Sequence, residues 1–358
     1  MRYMYPYRQS YIYLPNYSPP YIKVLHYQYI LILEIHSLFF NLYYSEEPMN
    51  SVLALAAKKK FQSKTDKSFI NILTGYKSHQ TYFDALMQGM MPFYHAFPEL
   101  KALLTEQDGA VEDYIFYPYF YDSAALTFQS LRLLTQSLSA YAGKLTMFYP
   151  VTNHLYVQQQ VKHCFAYYKN HPDEFKAELI SLYEQVEQQL GACCSFLLLP
   201  DGCGQHSSRS ELTTRFQLPA DALELVLLKE FNLLTELIRQ HPVLSPLYIR
   251  LPLHSATEKT AALLSGRLTI QQMAAARGVK HHTIEDHLIE MMIKDYPFDW
   301  QRFIRPAEVG EIRALYDKHA FERLKPYFEN SSIDDYFKIK LAICLVIKGE
   351  YNGPEADS

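Results

Sequence analysis

Between Ser255 and Ile293 the chain reads SATEKTAALLSGRLTIQQMAAARGVKHHTIEDHLIEMMI, and this stretch leaves few folds open. Three short helical patterns follow one another, with a glycine at the tight corner between the second and third. That is the pattern of a helix-turn-helix. Ser255 and Glu258 have the spacing of a capping box, in which a hydroxyl accepts a backbone N–H and a carboxylate reaches back. The first helix is expected to end near Ser265-Gly266, with Gly266 as its left-handed cap. Thr269 and Gln272 repeat the box for the second helix, and Met273, Ala274 and Ala275 keep that helix slim enough for a close crossing. Gly278 makes the corner, where a positive φ costs glycine nothing. The third helix is expected from about His281 to Met292, burying Ile284 and Leu288 one turn apart.

A third helix in this motif ordinarily reads base edges and phosphates with Arg, Lys, Asn or Gln. Here its exposed face is expected to carry Lys280, His281, His282, Glu285 and Asp286, with Glu290 as a further acid. From Ser255 to Arg305 there are seven Lys/Arg and six Asp/Glu, close to balance. The candidate DNA contacts are Lys280, His281, His282 and Thr283, with Arg277 and Lys259 near phosphates. So few cations imply weak binding with a shallow salt dependence.

The remaining sequence is expected to be helical too. With 358 residues there is room for two domains. Apolar residues recur at spacings of three and four in Phe175, Leu179, Leu182, Val186 and Leu190, behind Pro172 at a helix start. Similar patterns run from Ser68 to His241. HPVLSPLYIRLPLH cannot continue a helix and reads as a linker. The expected fold is all-α: a helical N-terminal domain over 60–242 after a basic lead-in at 49–67, a Pro-rich linker at 243–254, a helix-turn-helix domain over 253–348, and a disordered tail at 349–358. The first 48 residues hold 11 of the 30 tyrosines without clean periodicity. They read as an extension outside the folded protein, with a natural start at Met49. Glu34 and His36 interrupt the apolar run there, so no membrane span or signal segment is expected.

Sites of other chemistry are sparse. The net charge of −4 places any nucleic-acid contact in a local patch. Cys164, Cys193, Cys194, Cys203 and Cys344 form no regular framework and read as free thiols in a reducing cytoplasm. Cys203-x-x-His206 is the one pair with zinc-like spacing, so no metal is expected, and Cys193, Cys194 and Cys203 read as solvent-side loop cysteines. Tyr114, Phe116, Tyr117, Tyr119, Phe120 and Tyr121 suggest a stacking platform, but Asp113 and Asp122 flank them without interleaved cations, which favours packing. No phosphate-binding loop occurs. Gly75-Tyr-Lys-Ser78 lacks the preceding glycine and reads as a helix–helix corner with Ser78 capping the next helix. No enzyme, cofactor or small-molecule substrate is expected.

TIQQMAAARGVKHHTIEDHLIEM, with the helical pattern at 333–347, resembles the helix-turn-helix domain at the C-terminus of many RecQ-type DNA helicases. LTGYKSHQTYFDA, from Leu73 to Ala85, is similar to the Gly-x-Lys-Ser-x-Gln-Thr signature of YpbB-like proteins of Firmicutes. The resemblance covers about residues 60–347. It implies a bacterial, cytoplasmic, stand-alone protein of DNA metabolism, associated with a RecQ-type helicase and lacking the helicase motor. Two other readings stay open: an interaction module that docks on the helicase without touching DNA, and a transcriptional regulator, which would need dimer symmetry.

Overall fold

The computed structural model describes residues 51–100 and 112–351. The expectations for the first 48 residues and for most of the tail lie outside these. Among the described residues every regular element is helical. No helix among these residues is long and apolar enough to cross a membrane.

Fourteen α-helices are described: α1 (Ser51–Lys59), α2 (Asp66–Leu73), α3 (His79–Met87), α4 (Tyr121–Ala142), α5 (Leu155–Tyr168), α6 (Pro172–Leu190), α7 (Arg209–Phe216), α8 (Ala220–Gln240), α9 (Ser255–Ala261), α10 (Ile270–Arg277), α11 (His281–Ile293), α12 (Pro306–His319), α13 (Leu324–Asn330) and α14 (Tyr336–Ile347). Local chemistry explains many of their ends. Gly75 takes φ 73° just past α2, and Ser78 then caps α3 by accepting from the Thr81 N–H at 3.1 Å. The LTGYKSHQT stretch is thus a tight corner between two helices. Pro172 opens α6, with Asp173 and Glu174 in its first turn facing the positive helix end.

The apolar residues divide into two cores, and the division crosses the boundary that the Pro-rich segment suggests. One core is built from α4 to α8: Leu131, Leu134, Val157, Tyr183, Leu227 and Leu234 meet there. The other combines α1–α3 with everything after Pro252. Leu55, Ile72, Phe83 and Leu86 pack in one cluster with Ile284, Leu288, Val309 and Ile343. Helix α14 lies at its centre. Phe337, Ile339 and Leu341 through Leu345 are all buried, while Tyr336, Lys338 and Lys340 near its start keep access to solvent. Pro92, Pro98 and Pro118 stand between α3 and α4, and the packing changes there. Residues 112–120 run without helix from the core of α1–α3 to that of α4–α8, and residues 241–254 return.

Helix α8 joins the two cores. Leu225 and Leu228 face the cluster of α1–α3, whereas Leu223, Val226 and Leu227 face the other. Tyr114 to Tyr121 fill the junction. Phe116 and Phe120 belong to the core of α1–α3 and Tyr117 to that of α4–α8, while Asn232 of α8 pairs with the backbone of Tyr117 in both directions. Asp295, at the end of α11, is held by Lys348 at 2.8 Å and by the Tyr248 hydroxyl at 2.5 Å.

Two thiols differ from expectation. Cys193 and Cys194 are buried, because the Glu230 carboxylate reaches across from α8 to accept the N–H groups of Cys194 and Ser195 at 2.8 and 2.7 Å. Cys203 is exposed, and His206 meets Arg132 instead of a thiol.

Because α1–α3 complete the core around α14, a fragment spanning residues 253–351 would expose the apolar faces that Leu86 and Phe83 cover. It is expected to melt below a fragment spanning 51–351 and to bind an apolar dye, with circular dichroism and dye fluorescence as the readouts.

Candidate nucleic-acid interface

Helices α9, α10 and α11 form the tri-helical unit that the spacing predicts. The α10 capping box is present in full: the Thr269 hydroxyl accepts from the Gln272 N–H, and the Gln272 amide oxygen accepts from the Thr269 N–H at 2.8 Å. Gly278 takes φ 64° and caps α10, after which Val279 tucks inward and Lys280 turns the chain into α11. Met273, Ala274, Ile284 and Leu288 are buried between the helices.

Two expected caps are replaced. Helix α9 begins after His254 and not with a Ser255 box, because the His254 N–H donates to Glu290 at 2.9 Å. Gly266 ends a short 3-10 turn with an ordinary φ; Arg267 takes the left-handed conformation, at φ 52°. Asp335 caps α14 by accepting from the Phe337 N–H at 2.8 Å, and Ser332 is bound to Glu311.

Exposure along α11 falls off sharply. Lys280, His281 and His282 stand in solvent, and the two imidazoles lie edge to face at 4.6 Å. Thr283, Glu285 and Asp286 are half-buried, and His287 through Ile293 are buried. Burial, then the nearby Asp335 carboxylate, pushes the Glu285 carboxyl above its ordinary range. Lys259 is exposed on α9. Arg277 is placed differently from the expectation of a phosphate contact. Its guanidinium clamps α10 to α9 by donating to the Ala256 carbonyl at 2.9 Å and to the Thr260 hydroxyl at 3.4 Å.

Behind this face lies a buried polar network. Glu290, fully inaccessible, accepts from the Thr257 hydroxyl at 2.5 Å, from Lys294 at 2.7 Å and from His79 at 3.0 Å, besides the His254 N–H. Burial alone would raise its pKa, but the His79 hydrogen bond and the Lys294 charge outweigh that and hold it well below the usual carboxylate range. Lys294 also donates to the Pro252 carbonyl at 2.9 Å and lies 4.4 Å from the centre of the Tyr82 ring. The Tyr82 hydroxyl meets His254 Nε2 at 2.9 Å. One turn back, His287 Nδ1 is 2.8 Å from the Thr260 hydroxyl. The same hydroxyl accepts from Arg277. Burial, with His79 adding its charge, brings the His287 pKa down to about 4.

Residues 256–343 match the family of helix-turn-helix domains. The C-terminal part of the chain is a helix-turn-helix domain. No curated protein and no solved structure matches the chain significantly. The match runs from α9 into α14, so the domain includes the three crossing helices and the central helix beneath them.

Sequence alone does not reveal the network, and there Glu290 counts as one more acid on the face offered to DNA. Its signal is the four-residue spacing to Lys294, which places two opposite charges on one side of a helix. Donor atoms of His79, His254 and Glu290 come within 4.8 Å of one another, close enough to surround a cation. Lys294 already supplies a positive charge to the same carboxylate, and the Thr257 hydroxyl takes a further share of it. The arrangement therefore serves best as a latch between α3, α9 and α11.

Removing one member of the pair leaves the other buried and uncompensated. Glu290→Gln is expected to cost about 3–5 kcal/mol, and Glu290→Gln with Lys294→Met less than the two single changes added together. Urea titrations of the four proteins measure this. For His287, the unfolded chain takes up a proton below pH about 6.5 and the folded chain only below about 4. Stability is therefore lost as pH falls through that window, by about 3 kcal/mol from this residue at its lower end. His254, also lowered by burial, acts in the same direction. Urea midpoints followed from pH 7 to 4.5 should fall less steeply in His287→Gln than in the parent.

Proposed function

We propose that this is a non-enzymatic accessory protein of DNA metabolism that grips duplex DNA with the first turns of α11 and works beside a RecQ-type helicase. The observation that carries the DNA half is the distribution of exposure on α11. Only its N-terminal end is free, and helix-turn-helix proteins present that end to base edges in the major groove. Lys280 stands there at the positive end of the helix, which no side chain caps, a setting that favours phosphate. Glu290 no longer counts against the reading, because its charge is internal and neutralised. Glu285 is half-buried and so less exposed to a DNA backbone than Lys280.

The helicase half rests on the resemblance of the helix-turn-helix to the C-terminal domain of RecQ-type enzymes. An accessory role fits a chain whose motifs include no nucleotide-binding loop. Docking on the helicase without DNA contact is the second reading; it would use the acidic pair Glu285 and Asp286.

Fluorescence anisotropy with a labelled duplex at low salt tests the first reading. Binding is expected to weaken as salt rises, with a slope of about −2 to −3 for the two or three phosphate contacts available. Lys280→Ala should lower affinity and reduce that slope by about 1. Absence of binding at low salt would sink the DNA half. Co-purification with a RecQ-type helicase that is lost on Glu285→Lys with Asp286→Lys would then assign this face to protein docking.

A further inference from the structure

From Ser123 to Pro172 the chain contains no Asp or Glu, although the whole sequence has 38 and a net charge of −4. The same stretch supplies Lys144, Lys162 and Lys169, all exposed. It also carries eight of the eleven large hydrophobic side chains that stand exposed among the described residues, all between Tyr141 and Tyr167. Five of the eight are aromatic, and Tyr149 is 90% accessible. A surface this apolar, built from a stretch free of negative charge, marks a binding site.

Its shape is fixed from beneath. Gln136 on α4 is fully buried, and its amide holds the loop after α4 by both ends, donating to the Tyr149 carbonyl and accepting from the Val151 N–H, each at 2.9 Å. The neighbouring aromatics are thus offered on a pinned backbone. Beside them, α4 and α5 enclose a groove of about 390 Å³ lined by Tyr141, Phe148, Phe165 and Lys162. Tyr141 and Phe165 meet edge to face at 5.8 Å.

We propose that this face binds single-stranded nucleic acid, with bases stacking on Tyr141, Phe148 and Tyr149 and the phosphates running past Lys144, Lys162 and Lys169. Stacking on aromatics along a cationic track is how strands are held without sequence preference. The lack of carboxylates in the stretch favours a polyanion, and the predominance of tyrosine among the exposed apolar groups favours bases over the aliphatic face of a protein helix. The aromatic run at 114–121 meets neither condition, being packed in the junction and flanked by Asp113 and Asp122. The proposal does not depend on the helix-turn-helix, since the two faces share no residue.

Anisotropy of a labelled twenty-nucleotide dT strand at low salt is the test. The parent should bind, with affinity falling as salt rises by a slope near −2, for three lysines at about 0.7 each. Phe148→Ala with Tyr149→Ala should weaken binding by about 10-fold or more, and Lys162→Glu should also weaken it. Phe148 and Tyr149 lie outside both cores, so circular dichroism should be unchanged. Lys280→Ala should leave strand binding intact while lowering duplex binding, which separates failure here from failure of the helix-turn-helix reading. No binding of the dT strand, or equal binding by the double aromatic variant, would overturn the proposal. Binding of an acidic amphipathic peptide in place of the strand would overturn it equally and assign the face to a protein partner.

Discussion

The position of the third helix depends on one buried carboxylate. Glu290 has no access to water, and an ion in that place is tolerable only if the surrounding groups replace its hydration. They come from separate parts of the chain: His79 from the start of α3, the His254 N–H and Thr257 from the start of α9, and Lys294 from the next turn of α11 itself. His79 fixes α3, and His254 with Thr257 fixes α9, against α11. Because an unmet share of the charge would be costly, the four contacts act as a geometric specification more than as a source of net stability.

That specification explains why the cores divide as they do. His79 brings α3 to the side of the helix-turn-helix, and the apolar face of α3 then completes the cluster around α14. Asp295 repeats the device just past the C-terminal end of α11, where Lys348 and Tyr248 hold it, and the backbone carbonyl of Pro118 accepts from the same Lys348. With its buried half fastened at Glu290 and again just past its end, α11 has only its first turns left to offer. Restriction of the exposed face follows from the packing and not from the composition of the helix.

Much of the fold was legible because helix spacing and end chemistry are local. Thr269 with Gln272, Gly278, Ser78 and Pro172 each signalled an element boundary that the structure has. The failures share a cause. Ser255 with Glu258 has the spacing of a cap, but the N–H that defines the helix start is captured by a carboxylate 36 residues away. Arg277 looks like a phosphate contact in sequence, but a carbonyl on the preceding helix is within its reach. The prolines after His241 suggested a division of the fold, yet no local rule says which core α1–α3 will join. Non-local pairing overrode local grammar at each of these places.

The same contrast bears on the aromatic residues. A run such as Tyr114 to Tyr121 is conspicuous in sequence and disappears into the junction between cores. Tyr141, Phe148 and Phe165 are scattered in sequence, yet they line one groove because α4 and α5 pair, and Gln136 pins the loop between these helices. Accessibility, not density, decides whether an aromatic side chain is free to stack on a base. The charge pattern was readable throughout: a stretch without carboxylates lies within a chain whose acids outnumber its bases. Its meaning emerges only when the fold leaves that stretch facing solvent. With the free end of α11, it gives the protein two surfaces suited to nucleic acid, one shaped for a groove and one for unstacked bases.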